Sequence, residues 1–259
     1  MNEAELLFTD ILGCSRISLY TGGKRRMPEG KCVLIAGVLK RRILGEPLQY
    51  ILGRTEFMGM DFRVTPDVLI PRPETEILVE TALRYAKIPQ GAPRRVLDIG
   101  TGSGCVAVSL ARYLPQSNIC ATDISAAALR VAAGNAAANG CGVDLFYADI
   151  FPPGESGFGM IVSNPPYIPE GQIESLQREV LYEPRGALCG GTDGLDFYRR
   201  ICAECRGVLS HPGLLIMEVG YGQAEDVRSM ISATPGMRVE ETVSDYAGIE
   251  RVIVARRQS

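Results

Sequence analysis

The sequence carries a single histidine, His211, which argues against acid–base catalysis by paired imidazoles. It also lacks long apolar runs. Stretches such as Cys32 to Leu39 and Leu214 to Met217 fall well short of the roughly 18 to 20 residues that cross a bilayer. The first ten residues are acidic where a secretion signal would be basic, and no apolar core precedes a small-residue cleavage site, so the protein is expected in the cytoplasm without a membrane partner. A net charge of only −3 provides no global attraction to polyanions. Eight cysteines are present, but Cys202-x-x-Cys205 has no second such pair to complete a tetrahedral zinc site. Both fall in a stretch of helical periodicity, so buried thiols are expected and no metal.

What is present is an ordinary globular composition. The 259 residues, 46% hydrophobic and 22% charged, suffice for one sizeable core plus a small extra domain. Apolar periodicity over Ala4 to Leu12 and Cys32 to Leu44 predicts a helical N-terminal domain over residues 1–46. Residues 47–71 turn to short β-branched and aromatic runs, Tyr50-Ile51-Leu52 and Phe62-Arg63-Val64 around Met58 to Asp61, the pattern of a β-hairpin linker. From 72 to 259 a third unit begins with a helix over Glu74 to Lys87 and continues in strict alternation. Strands are predicted at Arg95 to Ile99, Asn118 to Thr122, Asp144 to Tyr147, Met160 to Ser163 and Leu214 to Glu218. Helices are predicted at Cys105 to Tyr113, Ser125 to Asn139, Leu195 to Leu209 and Ala224 to Ser232. Such alternation implies an α/β fold with a parallel sheet covered on both faces. Two closing strands, Met237 to Thr242 and Arg251 to Ala255, sit too close for a helical crossover, so at least one is expected to be antiparallel.

Three motifs fall at strand ends. The first, Asp98-Ile99-Gly100-Thr101-Gly102-Ser103-Gly104, runs a buried strand into a glycine loop that lets a ligand approach the backbone. The dinucleotide fingerprint would need glycine at 105, where Cys105 stands, so the pyrophosphate-binding version fails. A nucleoside ligand without phosphate, whose amino group meets the Asp98 carboxylate, fits instead: S-adenosylmethionine. Asp123, followed by Ile124 at the end of the second strand, stands where doubly wound folds bind ribose hydroxyls. Asp149 is placed to accept from an adenine amino group, with Ile150 and Phe151 as an apolar wall. The third motif, Ser163-Asn164-Pro165-Pro166-Tyr167, follows the fourth strand. Amide or ring nitrogens are poor nucleophiles because their lone pairs are delocalised. The Asn164 side-chain oxygen and the Pro165 carbonyl are suited to accept the two hydrogens of a target NH₂, and Tyr167 offers a flat face to stack on it. Gly190 to Gly194, a second glycine-rich segment, reads as a turn before a helix.

Together with Gly45 to Ile51, Pro71-Arg72-Pro73-Glu74-Thr75-Glu76, Glu179-Val180 and Glu183-Pro184, these motifs resemble the HemK/PrmC family of protein-(glutamine N5) methyltransferases acting on peptide-chain release factors. The resemblance spans about Glu3 to Ala255. It implies the Rossmann-like, seven-stranded sheet of class I S-adenosylmethionine methyltransferases, with Gly100 to Gly104, Asp123, Ile150 and Asn164 on the cofactor. It further implies Asn164 to Tyr167 on the glutamine of a Gly-Gly-Gln loop, with Arg72, Glu74 and Thr75 covering the site. Family members usually have further helices before the segment matching Ala4 to Leu12, so a short docking domain is expected here; Ile150 replaces a frequent aromatic, so adenine stacking is expected to be weak. Between Arg16 and Arg54, nine Lys or Arg face two acids, a local balance of +7 that reads either as a solvated face or as a docking surface for an acidic protein or RNA. Asn-Pro-Pro-Tyr is shared with DNA adenine methyltransferases, so a nucleic-acid adenine-N6 methyltransferase stays as the alternative. Such enzymes usually need a large basic groove and flip the base out; no direct nucleic-acid substrate is expected here, and the chain is expected to act as a monomer.

Overall fold

A computed structural model describes residues 2–22, 26–87 and 94–258; Lys24 and Arg25 of the basic stretch lie outside the described residues. The N-terminal part is helical. Helix α1 (Glu3–Leu12) opens with a capping box in which Asn2 and Glu5 satisfy each other's backbone N–H groups. It is followed by α2 (Arg16–Thr21), α3 (Glu29–Ile43) and α4 (Leu48–Leu52). Their shared core is small, built on Leu7, Ile11, Ile35 and Leu48. Tyr50-Ile51-Leu52, expected as a strand, instead completes α4. Pro47 sets the entry and Gly53, at φ 75°, the exit, and these end signals outweigh β-propensity over so short a run. The Tyr50 hydroxyl then donates to the Val68 carbonyl at 2.5 Å.

The hairpin therefore starts later, with β1 (Arg54–Phe57) and β2 (Met60–Arg63) joined through Met58 and Gly59, both at positive φ, as in a two-residue primed turn. Phe57 and Phe62 meet edge to face and are buried. Asn135 ties the hairpin to the sheet domain: it accepts from the Arg63 N–H at 2.8 Å and donates to the carbonyls of Arg63 and Ser103.

Helix α5 (Pro73–Ala86) starts with proline in its first turn and carries Glu74 and Glu76 where the helix dipole favours acids. After it come β3 (Arg95–Ile99), α6 (Cys105–Tyr113), β4 (Asn118–Asp123), α7 (Ala126–Ala138), β5 (Asp144–Tyr147) and β6 (Phe158–Ser163). Two short 3₁₀ turns then lead to α8 (Arg185–Leu188), α9 (Asp196–Val208), β7 (Leu209–Glu218), α10 (Ala224–Ala233), β8 (Met237–Ser244) and β9 (Glu250–Arg257). The seven strands form one sheet in the order β5-β4-β3-β6-β7-β9-β8. All neighbours are parallel except β9, which runs antiparallel to both β7 and β8 because only residues 245–249 join it to β8.

Alternation along the central strands feeds two apolar layers. Val96, Met160 and Val162 face α5 and α6 on one side, while Leu97, Ile161 and Met217 face Tyr198 and Ile201 of α9 on the other. Each fully buried side chain of this size contributes about 1.5 to 3 kcal/mol, so the sheet carries most of the stability. Cys202 and Cys205 sit in the second layer, where burial pushes their thiols up to about 12 and about 11, protonated at neutral pH. Among the described residues no group of three or more His, Cys, Asp or Glu is placed to hold a metal, and no helix is long and apolar enough to cross a membrane. Chain direction away from β3 reverses between β4 and β6, so a crevice forms at the carboxyl ends of β3 and β6.

Candidate active site

The glycine loop leaves β3 with Gly100, Gly102 and Gly104 at φ 71°, 54° and 81°. A Cβ on Gly104 would sit 3.0 Å from the Ala132 Cβ, so this position needs glycine for α6 to pack on α7. Four of the loop's N–H groups are engaged internally. Gly100 and Thr101 both donate to the Thr122 carbonyl at 2.9 Å, Gly104 donates to Thr101 at 2.8 Å, and Gly102 donates to the Asp123 carboxylate at 2.8 Å. A phosphate-binding loop needs such groups free, so the geometry agrees with Cys105 in excluding a pyrophosphate ligand. Asp123 also accepts from the Ser125 N–H at 2.8 Å, which fixes the carboxylate while each oxygen keeps a further lone pair for a hydroxyl.

Asp98 is buried, accepts from the Thr101 hydroxyl at 2.6 Å, and is pushed by burial up to about 7. An adjacent cation would favour its ionised form. Ile150 is buried and held at φ 71°, a strained conformation for a β-branched residue, with its carbonyl accepting from the Thr122 hydroxyl at 2.7 Å. Ile124 is 64% exposed at the mouth, an apolar surface suited to cover a ligand. Phe151, expected beside Ile150, does not line the cleft: the turn at Ile150 directs it toward the core, and Phe197 of α9 takes the place of the aromatic wall. Asp149 borders the cleft with its carboxylate paired to Arg200 at 2.7 Å.

On the other side, Asn164 follows β6 and donates through Nδ2 to the Thr75 hydroxyl at 3.0 Å. Thr75 belongs to the first turn of α5, so the Pro-Arg-Pro-Glu-Thr-Glu segment reaches the site through this residue. The backbone after Asn164 is clamped. The Tyr167 carbonyl accepts from Gln223 at 2.9 Å, and a Cβ on Gly190 would lie 2.7 Å from the Pro166 carbonyl, so the second glycine segment packs directly on this loop. The Tyr167 ring is half-buried, and burial pushes its hydroxyl up to about 12. Arg72 pairs with the buried Glu183, which also accepts from the Ile70 N–H at 3.3 Å; burial raises this carboxyl and Arg72 opposes the rise. That pair ties residues 67–72 to residues 183–187 across the cleft.

One cleft thus gathers Gly100, Gly102, Asp123, Ile124, Asp149, Ile150, Asn164, Pro165 and Pro166. Asp98, Thr101, Ser103, Arg72 and Thr75 line a small adjoining pocket that Asn164 shares, whereas Gly104, Glu74 and Tyr167 line neither. Val68, Leu69, Phe197, Gln223 and Glu218 were not singled out from sequence. For Glu218 a signal existed: an acid closing the otherwise apolar run Leu214 to Met217.

A glycine loop closing β3, an acid closing β4 and an Asn-Pro-Pro-Tyr turn closing β6 on a seven-stranded sheet are the arrangement expected of a class I S-adenosylmethionine methyltransferase. Comparison with known proteins narrows this. Residues 74–191 match the model of the methyltransferase small domain, and residues 1–53 match that of the PrmC N-terminal domain. The release factor glutamine methyltransferase of Geobacter sulfurreducens is 47% identical, covering 98% of this chain and 88% of that protein; its Bordetella pertussis counterpart is 43% identical over 96% and 92%. Among solved structures, a Pyrococcus furiosus methyltransferase superposes with TM-score 0.61 at 20% identity, covering 85% of this chain and 98% of that one. A Thermus thermophilus 16S rRNA methyltransferase in complex with AdoMet and guanosine gives 0.55 at 19% identity, over 79% and 50%. These two show likeness of fold. The chain belongs to the release factor glutamine methyltransferase family.

Proposed function

We propose that the protein methylates the side-chain amide nitrogen of a glutamine in peptide-chain release factors, within the Gly-Gly-Gln loop that the family resemblance implies. The observation that carries this reading is Asn164: its Nδ2 is engaged by Thr75, which leaves Oδ1 as an acceptor beside the Pro165 carbonyl, in the same cleft as the glycine loop and Asp123. When bound, the cofactor supplies an electrophilic methyl group on a sulfonium. Gly100 to Gly104, Asp123, Ile124 and Ile150 would hold its nucleoside, Asp149 and Phe197 would border the adenine, and Asp98 would face its amino group. Asn164 and Pro165 would each accept one hydrogen of the glutamine NH₂. Positive charge grows on that nitrogen during transfer, so both hydrogen bonds strengthen in the transition state, and the nitrogen then releases one proton to solvent.

Residues 1–46 serve in this reading as the docking domain, 47–71 as linker and 72–259 as the catalytic unit, acting as a monomer in the cytoplasm. Several cations of the basic stretch are occupied within the protein: Arg42 with Glu3 and Glu179, Arg54 with Asp10, Arg41 with Glu46. Lys40 and the exposed apolar residues Val33, Leu34 and Ile43 of α3 are left as the surface for a partner. The test is incubation with label-bearing S-adenosylmethionine and either a release factor or adenine-containing DNA and RNA. Label in the release factor alone supports the reading; label in nucleic acid alone overturns it.

A further inference from the structure

Glu218 closes β7 with a side chain that is almost wholly buried, yet its Oε2 has no hydrogen-bond partner. A carboxylate in that position is a poor choice for a core, since an unpaired buried acceptor is destabilising. The pairing of Ser163 with Met217 places Asn164 and Glu218 side by side at the carboxyl ends of adjacent strands. The side chains of Thr75 and Asn164 lie near enough to the carboxylate to favour its charged form, and Thr75 in turn accepts from Asn164 at 3.0 Å. Three buried or half-buried polar groups from α5, β6 and β7 therefore meet at one point.

Direction in such a network is set by its strictest member. Serine, threonine and asparagine groups both donate and accept, whereas an ionised carboxylate only accepts. The Thr75 proton then goes to Glu218, the Thr75 oxygen receives Asn164 Nδ2, and the Asn164 amide cannot flip without setting its carbonyl oxygen against the carboxylate. We infer that Glu218 is a positioning residue that locks the Asn164 amide with its oxygen toward the target nitrogen. The inference rests on the glutamine-methylating reading for its consequence and on the network for its mechanism.

The lock depends on ionisation. Burial raises Glu218 to about 7, Thr75, Arg251 and Asn164 oppose that rise, and Glu74 adds to it. Tyr167, Tyr198 and Cys105 also face the charge. Below about pH 7 the carboxyl gains a proton, becomes a donor and releases the amide; above it the lock is set.

Glu218→Gln keeps size and removes the acceptor-only character. The expected result is a kcat lowered about 10- to 100-fold at saturating cofactor, as for loss of one oriented polar contact, with KM for the release factor and cofactor affinity within about twofold. Glu218→Asp, which keeps the carboxylate, should recover part of the rate. The wild-type kcat should fall as pH drops through about 7, and the variant should be flat. In parallel, the side-chain amide resonances of Asn164 in isotope-labelled wild-type protein should titrate with the same midpoint. That signal needs neither turnover nor a folded variant, so it decides the proposal even if release factors prove not to be the substrate. An Asn164 amide indifferent to pH, or a Glu218→Gln enzyme with wild-type kcat and pH profile, would overturn it.

Discussion

The two sides of the cleft are built by opposite means. On the side expected to hold the cofactor, β3, β4 and their loops fix polar groups through contacts within one loop or between these two neighbouring units: Thr101 to Asp98, Ser125 to Asp123, Gly102 to Asp123. On the substrate side, the fixing residues come from across the chain, with Thr75 on Asn164, Gln223 on Tyr167 and Glu218 behind both Thr75 and Asn164. The difference assigns different work to each side. A glycine loop recognises a small molecule that is the same in every turnover, whereas an interlocked side-chain network holds an acceptor rigid against a flexible amide that must be oriented each time. In the proposed reading, affinity belongs to the first side and turnover to the second.

The largest expected effect tests that division. Asn164→Ala should lower kcat about 10² to 10³-fold, roughly 3 to 4 kcal/mol, the usual cost of one preorganised polar contact in the transition state, while calorimetry finds most cofactor affinity retained. Loss of cofactor binding equal to the loss of rate would erase the distinction between the two sides. Next comes the mirror-image variant. Asp123→Ala should weaken cofactor binding by about 1 to 3 kcal/mol, and saturating cofactor should restore much of the rate.

A smaller effect concerns pH. Burial pushes Asp98 up to about 7, and in the proposed reading the ionised form is the one that would attract the cofactor's amino group. Cofactor affinity should therefore rise with pH toward 7 and level off above it, falling by up to about tenfold per pH unit below, and Asp98→Asn should flatten the curve. A wild-type affinity that is level from pH 5 to 8 would place the ammonium partner elsewhere.

The smallest effect lies far from the cleft. Arg42 bridges Glu3 and Glu179 with all three side chains partly exposed, so Arg42→Ala should cost less than about 1 kcal/mol in urea unfolding and leave kcat unchanged. Its trace should appear in KM for the whole release factor at low salt. A large loss of stability would mean that the helical region depends on this bridge rather than on its small apolar core.

The same contrast explains how much could be read before the structure. The glycine loop, Asp123 and the strand-to-loop position of Asn164 were legible because each is a short pattern at the end of a periodic run. The first five strands of the sheet were legible because their apolar runs are interleaved with helical ones, and the last two because two short apolar runs follow each other with no room for a helix. Thr75 could be connected with the site only through family resemblance, since 89 residues separate it from its partner. Gln223 carries no pattern until the fold sets it beside the Tyr167 carbonyl, and the one signal Glu218 gives, an acid closing an apolar run, does not name Asn164 as its neighbour. Tyr50-Ile51-Leu52 was misread from composition although Pro47 and Gly53 bracket it as a turn of helix. Phe151 was assigned to the cleft because positive φ at Ile150 is not an event that an isoleucine announces.

The most direct test is to map the methyl group. Wild-type protein, a release factor and S-adenosylmethionine should yield a release factor whose only added methyl, by tandem mass spectrometry, lies on the glutamine of its Gly-Gly-Gln loop. The same factor with that glutamine replaced should stay unmodified, as should the wild-type factor incubated with Asn164→Ala over the time of a few wild-type turnovers. A methyl group found on any other residue, or equal labelling of the two factors, would contradict the account.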